Sequence, residues 1–162
     1  MKDGYGGNAL EWAAQENRIS NAKMLIESGC DVNNLNGEGM TALYTACAEG
    51  NTDMARLLLN NNAEPDRTED ATPLIIASCY GKIDCAELLL EHGSDVNTID
   101  NEGRTALFYA MVYGQDEIEK LLSAHGASYD ICDKGGVSPG QLKDEGCLLY
   151  TSPSPRDAHE SR

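Results

Sequence analysis

The chain has 162 residues, 12 basic against 27 acidic side chains, a net charge of −15 and a sequence pI of about 4.4. That charge repels phosphate backbones, which argues against nucleic acid as a partner, and it steers basic protein surfaces towards the chain. Aromatic residues are 6% of the sequence, and much of the apolar content is Leu and Ala, which suits helix packing more than a β-sandwich.

The start, MKDGYGGNAL, has no apolar signal region, and no apolar run approaches a membrane span. The expected location is intracellular, cytoplasmic or nuclear, with no membrane contact. The six cysteines form no C-x-x-C pair, and their spacing from Cys30 to Cys147 is unlike a disulfide framework. They read as free thiols of a reducing compartment.

In chain order, four segments share one pattern. They are GGNALEWAAQENRISNAKMLIESGCDVN from Gly6, GMTALYTACAEGNTDMARLLLNNNAEPD from Gly39, DATPLIIASCYGKIDCAELLLEHGSDVN from Asp70 and GRTALFYAMVYGQDEIEKLLSAHGASYD from Gly103. Each reads as two short helices with a turn between them. The second is the clearest: Thr41 caps a helix with Leu43, Ala46 and Cys47 on its apolar side, and Gly50 ends it. Met54, Leu57 and Leu58 then give the next helix an apolar face at i, i+3, i+4. First-helix leucines fall at Leu10, Leu43, Leu74 and Leu107, spaced 33, 31 and 33, and second-helix leucines at Leu25, Leu58, Leu89 and Leu122 keep the same spacing. Such periods indicate stacked units, because a pair this short cannot bury its own apolar surface.

Local chemistry agrees. Thr41, Thr72 and Thr105 are capping residues, and Pro73 sits where its missing N–H costs nothing. Gly50, Gly81 and Gly114 close first helices, and Gly29, Gly93 and Gly126 close second ones. Asp53, Asp84 and Asp116 stand at second-helix starts, each favoured there by roughly 0.3–1 kcal/mol through the helix dipole.

The elements Thr72-Pro73-Leu74-Ile75-Ile76-Ala77-Ser78, Thr105-Ala106-Leu107-Phe108-Tyr109-Ala110-Met111, Gly29-Cys30-Asp31-Val32-Asn33 and Gly93-Ser94-Asp95-Val96-Asn97 resemble the ankyrin repeat. The resemblance implies an all-α repeat solenoid of stacked helix–turn–helix units with projecting β-hairpin fingers. Residues 4–132 are expected to hold repeats one to four. Residues 133–146 begin a truncated fifth, in which Gly140 replaces the core leucine before Leu142. Repeat one departs from the pattern with Asn8-Ala9 for Thr-Pro and Asn17 for the first-helix glycine. Repeat two ends Asn60-Asn61-Asn62, and its finger from Glu64 to Asp70 is two residues short, so an irregular hairpin is expected. Ser128-Tyr129-Asp130 makes the fourth finger non-standard as well. With the fifth unit cut short, Leu121 and Leu122 are expected to lie partly exposed and to fray first.

Residues 147–162 begin CLLYTSPSPRD, which resembles, codon for codon, a translated transposon-type sequencing adapter. This stretch is expected to be adapter-derived and disordered, and the natural chain to continue beyond residue 146. Met1 need not be the native start, since no polar cap stands before the first repeat.

No nucleophile, phosphate-loop or paired-carboxylate motif is present, so a catalytic function and a cofactor are not expected. His92 and His125 occupy equivalent positions on parallel units and do not converge as zinc ligands must, so no metal is expected. Cys47, Cys79 and Cys85 read as small apolar packing residues. Trp12, the only tryptophan, reads as structural beside Leu10 and Ala13.

In ankyrin arrays partners usually dock on the concave side formed by finger tips and the exposed side of the first helices. By position, this implies Gln15, Glu16, Ala48, Glu49, Cys79, Tyr80, Val112 and Tyr113 from the helices. The fingers contribute Tyr5, Glu38, Met40, Asn101, Glu102 and Arg104. The row Glu16, Glu49, Tyr80, Tyr113 changes from acidic to aromatic along the groove. Groove tyrosines are common anchors, although both could instead pack across neighbouring repeats. The expected partner of a monomeric chain is a protein segment that is basic or has an apolar anchor. The alternative is a regulatory array within a larger enzyme, channel or ubiquitin-ligase adaptor. Asn33 and Asn97 also resemble acceptors of the asparaginyl hydroxylase that modifies ankyrin proteins, although finger hydrogen bonding, for which the family uses Asn anyway, is the simpler account of them.

Overall fold

The computed structural model describes residues 9–144. The expectations for Tyr5 and for the adapter-like stretch 147–162 lie outside these. The described residues form the helices α1 (Ala9–Gln15), α2 (Ile19–Glu27), α3 (Ala42–Glu49), α4 (Thr52–Asn60), α5 (Pro73–Cys79), α6 (Ile83–Glu91), α7 (Ala106–Val112), α8 (Asp116–Ala124) and α9 (Pro139–Asp144). First helices α1, α3, α5, α7 and α9 pack in one row, and second helices α2, α4, α6 and α8 in another.

The threonines start the first helices as their chemistry requires. Thr41, Thr72 and Thr105 are extended, and each hydroxyl accepts the N–H three residues on, from Tyr44, Ile75 and Phe108. Each such cap contributes about 1 kcal/mol. Second helices start differently: the backbone N–H of Arg18, Asn51, Lys82 and Gln115 donates back into the preceding helix, to Ala13, Ala46, Ala77 and Ala110. The two asparagines that replace ending glycines take the left-handed backbone, Asn17 with φ 53° and Asn62 with φ 69°. Asparagine tolerates that region better than other side chains.

Burial follows position in the stack. Every residue of α5 is buried, because α3 and α7 flank it and α6 lies beneath. By contrast α2 buries only Ala22, Met24 is 65% exposed and Trp12 52%. The expectation of Trp12 as a structural residue therefore does not match its exposure among the described residues; Leu10, Ala13 and Ala14 make the buried face of α1.

The fingers differ from expectation, since no β-strand forms among the described residues. Each regular finger is one tight turn with two main-chain bonds, in which the first residue's carbonyl accepts the N–H three residues on (Gly39, Gly103 or Gly136) and its own N–H donates across the base. Asn36 N–H donates to Met40, Asp100 to Arg104 and Asp133 to Val137. The first residue of each turn also accepts two backbone N–H groups on its side-chain Oδ1, which fixes the turn without a ladder. The shortened second finger lacks this arrangement, as expected. It leans on its neighbours instead: Glu69 N–H donates to Gly39 O, and the Asp70 carboxylate accepts Asn101 N–H.

The C-terminal end corrects two expectations. The fourth finger has the regular turn at Asp133, and only its approach is unusual. There the Tyr129 hydroxyl bonds Ser123 and donates to Glu119, and the Tyr129 carbonyl accepts Gly140 N–H. Leu122 is fully buried rather than exposed, and Leu121 is half-buried. Beyond it α9 adds a further layer, in which Leu142 packs in against α7 at 4% exposure, and burying a leucine contributes about 1.5–3 kcal/mol. A Cβ at position 140 would stand 3.3 Å from the Tyr129 carbonyl oxygen, which accounts for glycine in place of the core leucine.

Candidate functional site: the face of fingers and first helices

The first finger and helices α1 and α3 enclose a recess of about 220 Å³, lined by Glu11, Gln15, Glu38, Met40, Tyr44, Thr45 and Ala48. Of the expected docking residues it brings together Gln15, Glu38, Met40 and Ala48. Glu38 is exposed at the tip. Met40 and Ala48 are 7% and 6% exposed, so they form a floor rather than a protruding edge. Glu11 stands on the wall and accepts the Asn36 amide at 2.6 Å. Sequence reading missed Glu11, Tyr44 and Thr45. The repeat columns carry the signal for Glu11, which occupies the position of Tyr44, Ile75 and Phe108 in the other repeats.

The expected acidic-to-aromatic row lies along the ends of the first helices. Glu16 follows α1, Glu49 ends α3, and both are exposed, while Tyr80 and Tyr113 follow α5 and α7. Cys79 is buried and offers no surface. Tyr80 packs half-buried on the core. Tyr113 is 38% exposed, and its ring stacks on Tyr109 with centroids 6.4 Å apart and planes 8° from parallel. Tyr113 also borders a second recess, of about 490 Å³, with Met111, Val112, Gly114, Asp116, Glu119, Leu142 and Lys143.

Arg104 is placed differently from expectation. Its guanidinium lies 5.5 Å from the Phe108 centroid and 5.9 Å from that of Tyr109, and its Nε is 3.5 Å from Asp133 Oδ2. With 14% of its side chain exposed, it joins the third finger to the fourth rather than facing solvent. Beside it the Tyr109 hydroxyl donates to Asp100 Oδ2 at 2.7 Å. Burial pushes the Asp100 carboxyl above its ordinary range and raises the Tyr109 phenol. Glu102 and Asn101 remain exposed on the third finger, and Glu102 O accepts Lys134 N–H.

Asn33 and Asn97 bracket successive units. Asn33 donates to Asn62 O and accepts Glu64 N–H, and Asn97 donates to Gly126 O and accepts Ser128 N–H. His92 and His125 each place Nδ1 2.9 Å from the carbonyl oxygen four residues back, Leu88 and Leu121, at the ends of α6 and α8. Among the described residues no group of three or more His, Cys, Asp or Glu is placed to hold a metal ion. No described helix is long and apolar enough to cross a membrane.

A stack of paired helices joined by turn-shaped fingers, with a recess between fingers and first helices, defines a helical repeat solenoid of the protein-interaction class. The chain matches the family described as Ankyrin repeats (3 copies) over residues 10–100 and 65–133, and it belongs to that family. It is 37% identical over 91 residues to serine/threonine-protein kinase 12 of Arabidopsis thaliana, covering 55% of this chain and 20% of the kinase. Over 107 residues it is 33% identical to neurogenic locus notch homolog protein 1 of Xenopus tropicalis, covering 64% of this chain and 4% of the other. Palmitoyltransferase Hip14 of Drosophila melanogaster is 33% identical over 102 residues, covering 61% of this chain and 16% of that protein. The chain thus spans a fifth or less of the length of these relatives.

Proposed function

We propose that residues 9–144 act as a non-catalytic module that binds a basic protein segment with an apolar anchor on the face of fingers and first helices. The recess of the first finger carries this reading, because it sets the carboxylates of Glu11 and Glu38 beside Met40, Tyr44 and Ala48. A Lys or Arg suits such a place: its stem lies on apolar surface while its head meets the carboxylates. Glu16 and Glu49 extend the acidic side, and Tyr80 and Tyr113 offer aromatic surface further along, with Glu102 at the third finger. Arg104 serves as a positioning residue. The net charge of −15 favours a basic partner and opposes nucleic acid. In this reading the chain is a monomer of the cytoplasm or nucleus.

The test is selection from a peptide library followed by titration of the selected peptides. Basic peptides with one large apolar residue are expected, with affinity falling as salt rises. Glu38→Lys with Glu49→Lys should lower affinity at least tenfold, and Tyr80→Ala with Tyr113→Ala should weaken binding separately. Peptides selected without Lys or Arg, or binding untouched by both double variants, would overturn the assignment.

The relatives favour a second reading, a regulatory array within a larger protein, since a kinase and a palmitoyltransferase are each matched over a minor share of their length. Extending the nucleotide sequence past residue 146 tests it: a further folded domain in frame supports it, and an early stop codon counts against it.

A further inference from the structure

Asn36, at the base of the first finger, precedes Gly37, and no other asparagine in the sequence precedes a glycine. Its side chain is held on both sides. Oδ1 accepts the N–H groups of Glu38 at 2.8 Å and Met40 at 3.0 Å, and Nδ2 donates to Glu11 Oε1 at 2.6 Å. The other regular turns keep the two bonds to Oδ1 but carry an acid, Asp100 or Asp133. The second oxygen of each acid meets a donor, the Tyr109 hydroxyl or Arg104 Nε. The next N–H differs too. Asn101 N–H donates to Asp70 Oδ1 and Lys134 N–H to Glu102 O, each on the preceding finger. The first finger has no finger before it among the described residues. Gly37 is exposed, and its N–H makes no hydrogen bond among those residues.

We propose that Asn36 is a site of spontaneous deamidation in the folded chain, and that its conversion to a carboxylate breaks the tie between the first finger and α1.

The turn brings together what the reaction needs. The Gly37 nitrogen is the nucleophile, and glycine has no Cβ to shield it. The bond from Glu38 N–H to Oδ1 folds the Asn36 side chain back over its own peptide group, in the sense that ring closure requires. The two N–H groups on Oδ1 polarise the carbonyl and meet the negative charge that attack builds there, as an oxyanion hole does. The Gly37 nitrogen, having given its proton to solvent, attacks Asn36 Cγ. The N–Cγ bond of a cyclic imide forms, the Cγ–Nδ2 bond breaks, and Nδ2 takes a proton from solvent and leaves as ammonia. Water then opens the imide. Cleavage on the Cγ side gives aspartate, and cleavage on the main-chain side gives isoaspartate. Nothing is oxidised or reduced: amide and water become carboxylate and ammonium.

The turn itself can hold an aspartate, as the third and fourth fingers do. The contact with α1 cannot, because the Glu11 carboxylate then faces a second carboxylate where an amide donor stood, and like charges part. Isoaspartate also lengthens the main chain of the turn and displaces the bond from Asn36 N–H to Met40 O. Either product adds a negative charge to the recess of the first finger. The effect of that charge on a basic segment rests on the function proposed above; the reaction does not.

The test incubates the full chain at mildly alkaline pH and follows each asparagine by peptide mass spectrometry. Asn36 is expected to convert before the others, and faster as pH rises, because the nucleophile is the deprotonated amide. The native chain should convert at least as fast as the chain unfolded in urea, and Gly37→Ala should slow conversion at least tenfold. Asn36→Asp imitates one product and should lower the urea midpoint, and Glu11→Gln in that background should recover it by returning a donor. The proposal is overturned if Asn36 stays intact while other asparagines convert. It is overturned as well if Asn36 converts more slowly in the native chain than in urea, since the turn then shields it. A midpoint for Asn36→Asp equal to the parent's would overturn the link to α1. None of these readouts uses a bound peptide, so an intact Asn36 leaves the binding assignment standing, and a failed peptide titration leaves the modification standing.

Discussion

Asp100 is a carboxyl that the fold makes expensive to ionise. It is 6% exposed, its Oδ1 accepts the N–H groups of Glu102 and Arg104, and its Oδ2 receives the Tyr109 hydroxyl. Burial outweighs those bonds, and its folded-state pKa lies above the ordinary 3.8. Folding therefore favours the protonated form. The contribution of this group is fully present below 3.8 and is lost as pH rises through the raised value. Asp100→Asn removes that titration and keeps the oxygen that fixes the turn, as Asn36 does with Glu38 and Met40. The urea midpoint of the variant is expected to depend less on pH over this range than the parent's. Slopes that coincide would place the titration elsewhere. Sequence reading reached the finger tips as surface but not this network. The side chains that hold Arg104 include Asp133, 29 residues on, and no local pattern announces that pairing. Residues fixed by their own turn were legible, and residues claimed by the next repeat were not.

At the scale of elements, helices and their ends were legible because their causes are local. A threonine oxygen needs only the N–H three residues on, and a left-handed end needs only glycine or asparagine. The strand content of the fingers was not legible: a four-residue turn held by one Asx side chain leaves too little chain to pair. The same view separates two glycines with similar backbones. Gly93 has φ +88° with nothing within 4 Å of a built Cβ. Gly39 has φ +76°, and its Cβ would fall 2.7 Å from the Cβ of Glu69. Gly93→Ala should then cost about 1–2 kcal/mol from the backbone alone. Gly39→Ala should cost roughly 1 kcal/mol more, because the second finger must shift and strain its bond from Glu69 N–H to Gly39 O. Urea denaturation of both variants decides this, and equal losses would show that the fingers do not support each other.

For the whole molecule, a stack stands on contacts between neighbours, so terminal units have half the support of central ones. The sequence suggested that the C-terminal end is the weaker, on the expectation of an incomplete fifth repeat there. The packing reverses that order among the described residues. Leu142 covers α7, Tyr129 ties its own segment to Ser123 and Glu119, and Leu122 lies wholly inside. At the other end α2 buries one residue where α4 and α6 bury four each and α8 two. Amide exchange by local opening should therefore be fastest in α2, intermediate in α8 and slowest in α4 and α6. Leu142→Ala, a truncation of the kind that costs about 2–5 kcal/mol in a core, should accelerate exchange in α7 and α8 and leave α2 as it was. Hydrogen-exchange mass spectrometry on both proteins measures this. If α8 opens before α2 in the parent, α9 is no cap. If Leu142→Ala speeds α2 as much as α8, the stack unfolds as one unit, and the order of its ends has no bearing on its stability.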